Sequence, residues 1–263
     1  MIVHSAQLPA QADEDRAVAS QHAVIVLDGA TAHDPETPRA GTYVDTLSTE
    51  LQSRIGPAND LRTALADAIR ATAELLELAP GKSPSSTVAV VHIQPDTVDL
   101  LVLGDSAIIV GTIDGAQHIH TDDRLERLGL PQADNYRHRL ATGTGYDDQH
   151  RELLRELQRA ERQWRNRPRG FWIAEADPAA ADHALTASYP RASVSWAVAA
   201  TDGAFDVLPT LGLDWQTVAR QSSAGLHDIL DRCRTWEATT DPIGQALPRA
   251  KRHDDKTIAV IRL

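Results

Sequence analysis

Apolar residues fall along this chain in two kinds of run. Short unbroken stretches at Ala23–Leu27, Thr87–Ile93, Val98–Leu103, Ala107–Ile113, Ser195–Ala200 and Thr257–Arg262 have the length and branched side chains of buried strands. Elsewhere apolar residues recur every three or four positions. Leu61, Leu65, Ala68, Ile69, Thr72, Leu75 and Leu76 mark one stripe of a helix over about 60–79, with Asp60 placed to start it. Further helices are predicted over about 42–55, 121–128, 149–167 (Leu153, Leu157, Ala160 and Trp164 as its stripe), 214–221 and 225–236. Segment 30–41 is rich in turn formers and reads as a loop. The short separators Gln94-Pro95-Asp96 and Gly104-Asp105-Ser106 predict an antiparallel meander. Strands come in groups set apart from helices, without βαβ alternation, so the expected class is α+β with antiparallel sheets. No repeat or linker breaks the chain, and one domain over 1–263 is expected.

Composition narrows the function. At 42% hydrophobic and 24% charged residues the chain is set to fold. A net charge of −11 opposes nucleic-acid phosphate and anionic lipid, so neither nucleic acid nor membrane is an expected partner, and it attracts metal cations. A lone cysteine, Cys233, excludes an internal disulfide and a thiolate zinc site. It lies beside Leu226, Ile229 and Leu230 on a helix and reads as core. With no apolar run of membrane length and no signal-like N-terminus, the expected location is cytoplasmic. Arginine outnumbers lysine 23 to 3, which reads as a compositional bias of the source genome.

The chemistry lies in the acids. Asp28 follows AVIVL, Asp105 follows LLVLG, Asp202 follows WAVAAT, and Asp254 precedes TIAVIRL, while Glu14-Asp15 precede the run from Ala17. Any one Asp-Gly reads equally as a turn. Several carboxylates at strand ends, brought to one rim of a sheet, repel one another unless cations sit between them. Hard ions such as Mg²⁺ or Mn²⁺ take oxygen ligands, and a pair of them can hold a phosphoryl group and activate water.

The motifs resemble those of the bacterial PPM-type (class 2C) metal-dependent serine/threonine protein phosphatases. Asp13-Glu14-Asp15-Arg16 is similar to the family's opening acidic motif, VIVLDG to its strand-Asp-Gly, and Ser85-Ser86-Thr87 to its Gly-Ser-Thr-Ala strand start. Gly104-Asp105-Ser106 matches its Gly-Asp-Ser, TDGAFDVL at 201–208 its Ser-Asp-Gly-x-Trp-Asp, and Asp254-Asp255-Lys256-Thr257 its closing Asp-Asn-x-Thr. Six motifs occur in the family's order from 13 to 257. The resemblance implies an αββα sandwich of two antiparallel sheets flanked by helices, with a variable flap at about 124–170. It implies Asp28 bridging two Mg²⁺ or Mn²⁺ ions, the Gly29 carbonyl on one of them, Asp202 and Asp254 on the first ion, and Glu14 and Asp15 on the second. A third, weaker site would use Asp105, Asp202 and Asp206. The nucleophile implied is a metal-bridging water, and the partner is a phosphorylated protein substrate, such as a kinase or its target.

Departures fall on phosphate-binding positions. Ala10 stands where many members carry an arginine, Ala107 follows Gly-Asp-Ser in place of another, and Ala30-Thr31-Ala32-His33 replaces a glycine-rich turn. His33 is a candidate proton donor to the leaving group. The flap, with eleven arginines against seven acids over 124–169, is either a receptor for an acidic phosphorylated segment or the solvated face of a helix (Arg151, Arg155, Arg159, Arg162). His118 and His120 alternate as on a surface strand, and Thr142–Gly145 reads as a turn. Three readings stand: a protein phosphatase, a phosphatase of a small phosphorylated metabolite, and a weakly active pseudophosphatase that binds a partner. Retention of Asp28, Asp202 and Asp254 favours an enzyme.

Overall fold

A computed structural model describes residues 1–30, 39–57 and 60–263. The six expected strands form, and with four others they gather into two five-stranded antiparallel sheets. One has the order β1 (Ile2–Leu8), β10 (Lys256–Arg262), β9 (Val194–Ala200), β6 (Ala107–Thr112), β7 (Gln117–His120). The other has the order β2 (Asp15–Ala19), β3 (Ala23–Gly29), β4 (Ser86–Ile93), β5 (Thr97–Leu103), β8 (Leu185–Pro190).

The two-residue period of a strand sends alternate side chains to opposite faces, and here both faces are covered. Val24, Val26, Val91 and Val102 point inward and meet Ile108, Val110, Ala199 and Ile261 of the facing sheet. Their neighbours Ile25, Leu27, Val90 and Leu103 point outward onto α1 (Gly41–Arg54) and α2 (Leu61–Leu75), through Tyr43, Leu47, Leu65 and Ile69. The other sheet's outer face, through Ile109, Val198, Ile258 and Val260, packs on α6 (Trp215–Ala219) and α7 (Ser223–Thr239), where Cys233 lies buried beside Leu226, Ile229 and Leu230 as expected of a core residue. Helix, sheet, sheet, helix is the αββα sandwich.

Three sequence expectations change. Gly104-Asp105-Ser106 does not close a meander: β5 and β6 belong to different sheets, and this turn carries the chain across the sandwich with Gly104 at φ +84°. The helix at 121–128 shrinks to one tight turn, Glu126–Leu128, while an unforeseen helix α3 (Pro131–Ala141) follows. Finally, α4 (Asp148–Arg162) ends five residues early and buries His150, Leu154 and Leu157, leaving Trp164 exposed. Helices α3 and α4 form a hairpin with its own small core of Tyr136, Leu140, Leu154 and Leu157, over the flap region. On its outer face Arg151 pairs with Asp148, and Arg155 with Glu152, so those two follow the solvated-face reading. Asp60 caps α2 through the Thr63 N–H as predicted. Among the described residues no helix is long and apolar enough to cross a membrane.

Candidate metal centre

The acids meet where strand ends from both sheets share one rim. Neighbouring antiparallel strands run in opposite directions, so the first residue of β2, Asp15, lies directly across from Asp28 near the end of β3. Across the seam, Asp202 opens the short helix α5 (Asp202–Phe205) just after β9, and Asp254 precedes β10. The Thr201 hydroxyl donates to Asp15 Oδ2 at 2.8 Å and accepts from the Thr257 N–H, stitching the two sheets together beside the acids. Beneath Asp28 its N–H donates to the Thr87 hydroxyl, which in turn shares a 2.6 Å hydrogen bond with buried Ser106.

The carboxylates feel one another strongly. Loss of water around Asp15 pushes it from 3.8 up to about 8; the Thr201 hydrogen bond opposes this and the charges of Asp254 and Asp202 add to it. Asp28 is raised well above the carboxylate range, first by desolvation and then by Asp15, Asp202 and Asp254; its carboxyl lies within hydrogen-bonding reach of Asp202. Asp254 is raised by desolvation, with Lys251 opposing and Asp202 adding. Asp105 and Asp206 reach solvent in an adjoining cleft of about 460 Å³, where the surrounding protein and Asp202 push each to about 7. Glu161, from α4, lines the same cleft and is raised to about 7 by burial, with Arg165 opposing.

Thus Asp15, Asp28, Asp202 and Asp254 come together, with Asp105 and Asp206 alongside. Glu14 is placed differently: its Oε1 accepts from the Ala40 N–H ahead of α1, and it lines a second cavity of about 920 Å³. His33 lies outside the described residues. Gly29 is fixed by its surroundings, since a Cβ there would stand 2.8 Å from both Ala40 Cβ and the Glu14 carbonyl oxygen. Gly29→Ala is therefore expected to cost about 1–3 kcal/mol in a urea unfolding experiment, as overpacking does elsewhere.

The donor set suits a hard divalent cation: it is all oxygen, it carries excess negative charge, and Asp15 Oδ1 is buried with no hydrogen-bond partner. Among the described residues no group of three or more acids or histidines is drawn in far enough to enclose an ion. In the metal-free protein these carboxyls bind protons more tightly folded than unfolded. Their contribution to stability is then complete below about pH 4 and lost as pH rises through about 7–8. With chelator present, the melting temperature is expected to fall from pH 5 to pH 8, and saturating Mn²⁺ to flatten that fall; a flat profile in chelator would show that burial and neighbouring charge do not raise these carboxyls.

Comparison with solved structures agrees with this architecture. The chain is similar to the catalytic domain of the serine/threonine protein phosphatase PstP in complex with two manganese ions, at 14% identity and a TM-score of 0.56, covering 98% of this chain and 96% of that one. It is similar to the PPM Ser-Thr phosphatase MsPP from Mycobacterium smegmatis in complex with cacodylate (18%, TM-score 0.52, 100% and 98% covered). Stp1 from Staphylococcus aureus, a serine/threonine phosphatase, gives 14% and a TM-score of 0.57, with 99% and 94% covered. The chain has the PPM phosphatase fold. No family model and no curated protein sequence matches it.

Within this PPM fold the sequence departures take on a local meaning. The Ala10 N–H donates to Asp255 Oδ1, and the Glu14 N–H to Asp255 Oδ2 at 2.7 Å, so Asp255 pins the loop that leads into β2. Ala107 is wholly buried at the start of β6. Arg16 turns to Asp45 of α1, 2.5 Å away. Thr201 and Asp255 lie within the matched motifs but had no role assigned there, while Glu161 and Lys251 belong to no motif and join the site only in the fold.

Proposed function

We propose that this chain is a Mg²⁺- or Mn²⁺-dependent phosphatase that removes phosphate from phosphoserine or phosphothreonine of proteins. The observation that carries the reading is the convergence of Asp15, Asp28, Asp202 and Asp254, from four strand ends, on one rim of a PPM-type sandwich. Asp28, Asp202 and Asp254, with Asp15, would hold the ions; Asp105 and Asp206, with Asp202, would serve a third. When bound, two such ions polarise the phosphoryl oxygens and lower the pKa of a water.

The chain's own residues prepare the place. Thr201 and Thr87 fix Asp15 and Asp28 by hydrogen bonds, and Asp255 holds the 10–14 loop against them. Arg39, Arg234 and Arg252 line the larger cavity and give it the cationic wall that a phosphorylated, acidic protein segment needs. The reading includes a phosphoprotein partner and a cytoplasmic location.

The test is phosphate release from p-nitrophenyl phosphate and from a phosphothreonine peptide, with Mn²⁺, Mg²⁺ or chelator. Turnover that requires metal and extends to the peptide supports the reading. Hydrolysis of p-nitrophenyl phosphate without the peptide would move the substrate to small metabolites. No turnover by the folded protein in either metal would overturn the enzyme.

A further inference from the structure

A lysine stands inside the acid cluster. Lys251 Nζ lies 2.5 Å from Asp254 Oδ1, and its side chain is three-quarters covered, at 25% exposure. Asp254, Asp28 and Asp202 are the carboxylates whose charges act on this ammonium. Lys251 and Asp254 border both cavities, so this ammonium sits where the two clefts join.

The position is held from several sides. Arg249 Nη1 pairs with Asp241 Oδ2 at 2.6 Å, His150 Nε2 of the α3–α4 hairpin bonds the Ala250 carbonyl at 2.7 Å, and His253 Nδ1 meets Glu237 Oε2 at 2.9 Å. The backbone on either side of Lys251 is therefore fixed, and the ammonium reaches Asp254 on a four-carbon stem. Lysine is also a rare choice in a chain with 23 arginines and three lysines. A compact point charge on a flexible stem suits a spherical cation's seat, where a planar guanidinium fork does not.

We infer that the Lys251 ammonium is a built-in counter-ion of the carboxylate cluster, which an arriving divalent cation must displace, so that Lys251 sets the centre's affinity for metal. The inference rests on the metal-centre reading above. It gives Lys251 two opposed effects: it holds the metal-free site together, and it competes with the ion that completes the site.

The test is Mn²⁺ binding by isothermal titration calorimetry to the whole chain, as wild type, Lys251→Met and Lys251→Arg, alongside melting curves with and without Mn²⁺. Lys251→Met is expected to bind its first Mn²⁺ at least ten-fold more tightly. It is expected to melt below wild type in chelator and to gain more from Mn²⁺ than wild type does. Lys251→Arg, which keeps the charge, is expected to bind no more tightly than wild type. Unchanged or weaker Mn²⁺ binding by folded Lys251→Met would overturn the inference and leave the metal centre standing. Unchanged Mn²⁺ binding with weakened affinity for inorganic phosphate would also overturn it, making Lys251 a phosphate ligand. If Lys251→Met does not fold, Lys251→Gln takes its place under the same criteria. Absence of Mn²⁺ binding in wild type and every variant would overturn the metal centre itself.

Discussion

Asp202→Asn is expected to reduce metal-dependent hydrolysis of p-nitrophenyl phosphate by about three orders of magnitude under the proposed function, in which Asp202 holds metal and such a ligand's share of transition-state stabilisation is several kcal/mol. In chelator the same variant is expected to be more stable than wild type. Asp202 is the carboxylate whose charge reaches furthest through the cluster: it raises Asp15, Asp28, Asp105, Asp206 and Asp254 alike. Making it neutral relieves repulsion at five partners while leaving its volume almost unchanged. The melting temperature should rise by about 2–4 °C for each kcal/mol of repulsion removed. Kinetics and melting curves on one preparation read both signs. Lost activity together with lost metal-free stability would point to misfolding and away from a ligand role.

Glu237→Ala is the variant expected to cost most in stability. Lys256 Nζ lies 2.6 Å from Glu237 Oε1, and both side chains are excluded from water. The other carboxylate oxygen accepts from His253, and Arg249 approaches within 4.0 Å. Truncation leaves the Lys256 ammonium buried without its partner, a loss of about 3–5 kcal/mol in comparable buried pairs. Against a total of about 5–15 kcal/mol for a typical domain, that is a large share. A double variant, Glu237→Leu with Lys256→Met, should recover most of the loss, because neither charge is then stranded. Urea unfolding followed by circular dichroism measures all three. A single variant within about 1 kcal/mol of wild type would show that water reaches this pair.

What could be read beforehand follows from physical range. Strands β3, β4, β9 and β10 are covered on both faces, so their near-continuous apolar runs stood out, and the aspartates that end or precede them were marked by the abrupt change in polarity. The strands that escaped notice carry weaker patterns. In β1 only Ala6 and Leu8 are buried, and the edge strand β8 has no buried residue. Helix α3 buries just Tyr136 and Leu140 from eleven residues, too few to make a stripe. The crossing of β5 to β6 between sheets was hidden because a short turn looks the same whether it closes a hairpin or bridges two layers. Lys251 sits in AKRHDD, a polar stretch without period, and acquires meaning only when Asp28 and Asp202 arrive from distant parts of the chain.

The seam between the sheets gives the molecule an unusual sensitivity. Asp15 and Asp28 ride on one layer, Asp202 and Asp254 on the other, and the layers are kept in register by interdigitating valines, isoleucines and alanines such as Val26, Val91, Ala199 and Ile261. The spacing of the acids is therefore a readout of how those methyl groups fit. Close-packed interiors transmit small changes in volume as shifts of whole elements. A substitution such as Val26→Ala, with no polar atom involved and no contact with the cleft, would reset the distance between the two pairs of carboxylates. The hydrocarbon layer thus serves as the calliper of the acidic cleft, and variation deep in the core is a route by which the spacing of these carboxylates can change without altering a single one of them.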